Sequence, residues 1–277
     1  MPIGVLIGFD GSPAATAAVE VGGQLLPQAH AWVTHLWTPP FASEPLRRRL
    51  RASVGSATEL VERTESEGER EAQRVAATGT TLARAAGLDA EPLVKRSWGG
   101  EGLVLAQLAE QVSADLVLVG SRGLGGAQAF LGSVSDTAVQ YASRPTLVAP
   151  APMLADEYDA LADGPVIVGW DGSGGARTAL TAAQRLFPAR EILAVSIGQG
   201  ITEALPEGVA GEHVDAPPGA KEHTVADALV GLAALRRAAV VAVGSRGQSA
   251  MRQVLLGSVA RATLRAAHRP VLVVPGP

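Results

Sequence analysis

The 277-residue chain has no cysteine. Disulfides, thiolate nucleophiles and cysteine zinc sites are therefore excluded together, and no redox compartment can be read from bridges. Lysine is nearly missing too. Lys95 and Lys221 are the only two, and the other 21 basic residues are arginines; with abundant alanine and glycine, that bias reflects a GC-rich coding sequence more than chemistry. A P-loop needs Gly-Lys-Ser/Thr, and neither lysine stands in such a setting. Positive charge is not in surplus either. Twenty-three basic against twenty-seven acidic residues, a formal net charge of −4, give no broad cationic surface for phosphate backbones or anionic lipid, so neither nucleic acid nor membrane is expected as a partner. The N-terminus, Met-Pro-Ile-Gly-Val-Leu-Ile-Gly-Phe-Asp, has no basic n-region and reaches an acid at Asp10, so it reads as neither signal peptide nor span, and a cytoplasmic location is expected. His30, His35, His213, His223 and His268 are scattered and form no ligand set, so no metal site is expected.

What is present is an ordinary globular composition, 47% apolar and 18% charged, whose length suits two domains or one α/β barrel. An internal repeat decides between them. Val-Leu-Ile-Gly-Phe-Asp-Gly-Ser (5–12) recurs as Val-Ile-Val-Gly-Trp-Asp-Gly-Ser (166–173), and Leu-Val-Leu-Val-Gly-Ser-Arg-Gly (116–123) as Val-Val-Ala-Val-Gly-Ser-Arg-Gly (240–247). Leu-Gly-Ser-Val (131–134) recurs at 256–259, and Arg-Pro-Thr-Leu-Val-Ala-Pro (144–150) as Arg-Pro-Val-Leu-Val-Val-Pro (269–275). Four blocks in one order make the chain two copies of a domain, 1–150 and 165–277. Residues 151–164, with Pro152 and the acids Asp156, Glu157 and Asp159, read as linker.

Within copy one, short β-branched runs alternate with helical stretches. Strands are predicted at the N-terminus and at 31–37, 93–95, 116–119 and 146–149. Helices are predicted at 14–26, with Ser12 as N-cap and Pro13 at its first position, and at 58–86, 101–112 and 132–142. Gly87 is the expected C-cap of the long second helix, and the basic run 47–51 and the acidic cluster 59–71 are expected on that helix's solvent face. Apolar strands separated by helices mean an α/β fold with a parallel sheet covered on both faces. Copy two is shortened. Its interval from Asp171 to Gly244 is 37 residues less than that from Asp10 to Gly120, which predicts loss of the long second helix and leaves a third strand only at 212–215.

The chemistry-bearing candidate is Gly244-Ser245-Arg246-Gly247, followed by nine residues and Gly257-Ser258, after a strand and ending on a helix start. Glycines allow a sharp turn and close approach to a ligand, while free N–H groups and the helix N-terminus offer donors and positive potential to phosphate. Strand one delivers Asp171 to the same carboxyl edge, where it can accept hydrogen bonds from an adenine amine or ribose hydroxyls. Arg246, like Arg122 in copy one, can pair with phosphate or stay solvated. A tight βα turn with ordinary caps explains the same letters. Gly-x-Gly-x-x-Gly fails at Gln128, and Gly172-Ser173-Gly174-Gly175 reads as a small-residue helix start. Copy one has eight residues between Gly123 and Gly132, one fewer, which predicts a helix start displaced by up to about 3.5 Å.

In these blocks the chain resembles the universal stress protein family, in its tandem two-domain form, over nearly its whole length. The resemblance implies two Rossmann-like (adenine nucleotide alpha hydrolase-like) domains with five-stranded parallel sheets. It also implies ATP as ligand, with or without a divalent cation, and intrachain pairing through the fifth strands, with a homodimer as a further option. It carries the ATP-binding role to Asp10, Gly120, Gly123, Gly132 and Ser133 and to Asp171, Gly244, Gly247, Gly257 and Ser258, with Arg122 and Arg246 inside the loops. The expected function is a stress-response protein that binds ATP through its glycine loops and acts as a nucleotide-dependent regulator or partner-binding module, with at most slow hydrolysis. No general base or metal carboxylate pair is identifiable for faster chemistry. A non-nucleotide scaffold acting through protein contacts and a cyclic-nucleotide binder are the alternatives.

Overall fold

A computed structural model describes residues 2–38, 44–121, 132–198, 200–201, 203–217, 221–245 and 256–276. Copy one runs β1 (Gly4–Gly8), α1 (Pro13–Leu25), β2 (His30–Trp37), α2 (Glu44–Arg51), α3 (Ala57–Ala85), β3 (Asp89–Arg96), α4 (Glu101–Gln111), β4 (Leu116–Gly120), α5 (Ser133–Tyr141) and β5 (Thr146–Ala149). After α6 (Ala155–Asp163), copy two follows as β6 (Val166–Gly169), α7 (Gly174–Leu186), β7 (Ile192–Ile197), β8 (Val209–Val214), α8 (Glu222–Leu235), β9 (Val240–Gly244), α9 (Ser258–Ala266) and β10 (Val271–Val274).

Among the described residues the strands form one sheet in the order β3-β2-β1-β4-β5-β10-β9-β6-β7-β8. All neighbours are parallel except β5 and β10, which run antiparallel with Leu147 opposite Leu272. The central strands are apolar at nearly every position because both faces are covered: Leu6, Ile7, Leu116, Leu118, Ile167 and Leu272 are fully buried. One core layer lies between the sheet and the helices α1 and α7, and the other gathers Leu105 and Leu108 of α4, Leu229 of α8 and Leu264 of α9. In each copy the order of strand addition reverses between the adjacent, parallel first and fourth strands, the topological switch point at which α/β sheets bind ligands.

Several expectations are adjusted. Strand β3 is longer than 93–95 and pairs with β2 across eight residues. Lying at the sheet edge, it is half-exposed and holds Pro92, which an edge tolerates, so its apolar signal is weak. The third strand of copy two is Val209–Val214 rather than 212–215, and it places His213 in a strand, while His223 lies in α8. The basic run 47–51 falls in α2, separate from the acidic α3. Residues 151–164 include α6, whose Leu161 is fully buried in the α1/α7 core layer. Arg190 donates to the carbonyls of Leu161 and Gly164, a cation seated on the C-terminal end of α6.

Copy two passes from β7 to β8 with no counterpart of α3 among the described residues. In copy one α3 lies on β2, β3 and α1. In copy two the partly buried Ile201 and Leu205 pack against the same core layer, both filling the space above Gly211 of β8. Both carboxylate oxygens of Glu203 accept hydrogen bonds from Arg177 on α7, at 2.8 and 2.6 Å. A short apolar strap has replaced a 29-residue helix. No described helix is long and apolar enough to cross a membrane.

Candidate functional site

Both copies build the same turn at the end of their first strand. The Ser12 amide donates to Asp10 Oδ1 and the Ser173 amide to Asp171 Oδ1, each at 2.9 Å, with Gly11 (φ +80°) and Gly172 (φ +72°) in the left-handed region between them. Each serine then caps the next helix: Ser12 Oγ accepts from the Ala15 amide and Ser173 Oγ from the Ala176 amide, both at 3.1 Å. The Asp-Gly-Ser repeat is thus an Asx turn followed by an N-cap, which fixes the carboxylate at the carboxyl end of the first strand. The surroundings differ. Asp10 is half-buried and Asp171 exposed; Val75 of α3 lies 3.9 Å from where a Gly11 side chain would begin, whereas Gly172 has nothing within 4 Å.

The fourth strand abuts this turn. A Cβ on Gly120 would lie 2.5 Å from the Ala14 carbonyl oxygen, and one on Gly244 would lie 2.6 Å from the carbonyl carbon of Gly175. Only glycine lets the strand end touch the first turn of α1 or α7. That contact brings Gly120 beside the Asp10 turn and Gly244 beside the Asp171 turn.

The loops that follow are closed alike. The Ser121 amide donates to the Ala149 carbonyl and the Ser245 amide to that of Val274, both at 2.7 Å, tying each loop's start to the neighbouring strand. The Gly132 amide then donates to the Ser121 carbonyl at 2.8 Å and the Gly257 amide to the Ser245 carbonyl at 2.6 Å. The displacement expected from the shorter spacing in copy one is therefore absent at the helix starts, and the one-residue difference falls inside the loop. Gly132 and Gly257 are the N-caps of α5 and α9 and provide no side-chain cap, unlike Ser12 and Ser173. Ser133 and Ser258 are exposed first residues of those helices. The positive ends of α5 and α9 therefore lie at the carboxyl edge of the sheet with no side-chain cap from Gly132 or Gly257.

Of the sequence-predicted site residues, Asp10, Gly120, Gly132 and Ser133 fall along one crevice edge, and Asp171, Gly244, Gly257 and Ser258 repeat them in copy two. Arg122, Gly123, Arg246 and Gly247 lie outside the described residues. Among the described residues no cluster of three His, Asp or Glu side chains is arranged to hold a metal ion. Sequence reasoning passed over Ser121 and Ser245, whose carbonyls close the loops. It also passed over Trp98, an aromatic two residues beyond β3 and just before Gly99-Gly100, a position that could have drawn notice.

The profile of the Universal stress protein family matches residues 4–150 and 201–275. The unmatched interval includes β6, α7 and β7, the part of copy two that carries the repeated Asp-Gly-Ser turn. A universal stress protein of Mycolicibacterium smegmatis is 26% identical over 98% of this chain and 96% of its own length. The crystal structure of a universal stress protein from Archaeoglobus fulgidus superimposes with a TM-score of 0.66 at 16% identity, covering 98% of each chain. A functionally unknown protein from Pseudomonas aeruginosa superimposes with a TM-score of 0.53 at 12% identity over 99% of this chain and 92% of its own.

Proposed function

As the chain belongs to the universal stress protein family, we propose that it binds ATP at two crevices, one per copy, and uses occupancy to set its conformation or its affinity for partners. One observation carries the reading: in both copies a fixed carboxylate stands beside a closed glycine loop that ends on a helix without a side-chain cap. The donors suit polyphosphate, and an anion at a helix N-terminus gains up to about 2 kcal/mol in a partly buried setting. Ser133 and Ser258 add a hydroxyl each. Asp10 and Asp171, across the switch point, suit the amine or hydroxyl donors of an adenosine. The protein belongs in the cytoplasm, with copy one at 1–150, copy two at 165–277, and β5–β10 pairing as the association of its copies.

On this reading the site serves binding, with at most slow hydrolysis of the nucleotide. A second reading, that the turns serve folding alone and the protein is a scaffold, is favoured by the packing of Gly120 and Gly244, which backbone contact explains without a ligand.

Equilibrium binding of labelled ATP to wild type, Gly132→Ala and Gly257→Ala separates the two readings. Saturable binding in the wild type, lost stepwise in the variants, supports the nucleotide site. No saturable binding in the wild type overturns it. Mass spectrometry of small molecules released by heating the purified protein distinguishes ATP from a cyclic nucleotide.

A further inference from the structure

Copy one carries at its carboxyl rim a feature that copy two lacks. Trp98, two residues beyond β3, is 74% exposed, although the chain holds only four tryptophans. Its ring is not loose. The Arg96 guanidinium lies 4.6 Å from the Trp98 ring centre and 5.7 Å from that of the buried Trp37. Arg96 itself donates to Glu65 of α3 at 2.8 Å. The backbone on either side is held as well: the Ser97 amide donates to the Trp37 carbonyl at 2.8 Å, and buried Ser97 Oγ both accepts from the Gly99 amide and donates to the Gly99 carbonyl. Gly99 and Gly100, at φ +113° and +68°, turn the chain into α4 with nothing within 4 Å of where their side chains would be.

Single exposed hydrophobic residues are common and need no explanation. This one differs in being a braced aromatic plate on the rim where β2 and β3 end together, three residues beyond the level at which β1 ends. Gly8 of β1, Thr34 of β2 and Leu93 of β3 share one level of the sheet. Trp98 therefore lies two strands, about 10 Å, to the side of the Asp10 turn and about three residues farther out along the strand direction, leaving between them a span that a nucleoside can bridge. With phosphates on the β4–α5 side and the adenosine at Asp10, the base points away from β4 toward β2 and β3. On the opposite side of β4 the sheet continues into β5 and β10.

We propose that Trp98 is the stacking platform for the nucleobase in the copy-one crevice, and that it makes this crevice the base-selective one of the pair. The proposal rests on the nucleotide reading above and adds to it the residue that holds the base. An aromatic face selects for a planar ring without reading its edge, while Asp10 supplies the polar contact. In copy two β8 ends in Val214, followed by Asp215 and Ala216, so its crevice has no such plate.

The test compares full-length wild type, Trp98→Ala and Trp98→Phe, titrated with ATP and with inorganic tripolyphosphate. The emission of Trp98 is isolated as the difference between wild type and Trp98→Phe. Expected are a change in that emission on adding ATP but not tripolyphosphate, an ATP affinity at the tighter step reduced roughly tenfold or more in Trp98→Ala, near-wild-type affinity in Trp98→Phe, and unchanged tripolyphosphate binding. ATP binding that is equal in wild type and Trp98→Ala, or an equal loss for ATP and tripolyphosphate, overturns the proposal and leaves the nucleotide reading standing. Absence of saturable ATP binding in the wild type overturns both.

Discussion

The amide of Gly257 donates to the carbonyl of Ser245 at 2.6 Å across the mouth of a loop of eleven intervening residues, and Gly132 does the same to Ser121 across ten. One hydrogen bond closes two loops of different length. The position of the helix start relative to the strand end is therefore set by its anchors, and a deletion inside the loop is absorbed between them.

The glycines of the motif are required for different reasons, which makes them separable by mutation. Gly120→Ala or Gly244→Ala drives a methyl group into the backbone of the facing helix, at 2.5 or 2.6 Å. Each should destabilise by about 1–3 kcal/mol or more, as overpacking does, whether or not nucleotide is present. Gly132 and Gly257 have φ of −62° and −64°, which alanine adopts freely. Their alanine variants should unfold within about 1 kcal/mol of wild type. Thermal denaturation beside ATP binding checks this: equal destabilisation at all four positions would remove the distinction.

Asp10 and Asp171 have a structural duty besides any contact with ligand, since each accepts the amide that closes its turn. Asparagine keeps that acceptor and removes the charge, whereas alanine removes both. Asp171→Ala should lose about 1 kcal/mol of stability, the usual net value of one hydrogen bond, and Asp171→Asn much less. Denaturant unfolding of the pair reads the difference, and equal losses would show that the turn does not depend on the oxygen.

Much of the fold was legible because most of its elements are repeated or strongly periodic. The apolar runs at 116–119 and 146–149 could only be buried strands, and Ser12-Pro13 marks a helix start by its chemistry. The strand at Asp89–Arg96 was legible only at 93–95, because an edge strand is half-exposed and the first half of its sequence, Asp-Ala-Glu-Pro, keeps no apolar run. The strap through Ile201 and Leu205 escaped because two side chains on an irregular segment have no period to detect. At the carboxyl edge of the sheet, the positions of Asp10, Gly120, Gly132, Gly244 and Gly257 were legible from spacing. Nothing in the spacing could reveal that Gly132 and Ser121 close the loop, because the bond joins backbone groups.

The copies are also joined by charge. Asp115, just before β4, accepts from the Gly4 amide at 3.0 Å and from Arg185 of α7 in copy two. Partial burial works to raise its pKa, but the Gly4 amide, Arg185 and Arg144 together hold it below the usual 3.8. A depressed carboxylate contributes stability that is fully present above its unfolded value and is lost as pH falls through the folded one. Asp115→Asn should thus cost about 1 kcal/mol or less at pH 7, given the partial exposure. The gap from wild type should shrink below pH 4 and close at lower pH. A gap constant from pH 7 to pH 2 would show that packing, not charge, is responsible.

Thr263 of α9 is fully buried, and its hydroxyl is the one buried side-chain polar atom without a hydrogen-bond partner among the described residues. The repeat places Ala138 of α5 at the corresponding position, five residues after Ser133 as Thr263 is after Ser258. An unmet buried hydroxyl costs about 1–3 kcal/mol, and replacing it with a methyl of the same shape removes that cost without opening a cavity. Thr263→Val should therefore raise stability by about 1 kcal/mol, and Thr263→Ala should gain less because it also removes packed volume. Denaturant midpoints of the two variants, read at constant slope, decide the matter. Destabilisation by valine would mean that the hydroxyl has a partner in solution, and α9 would then be anchored by polar contact rather than by shape.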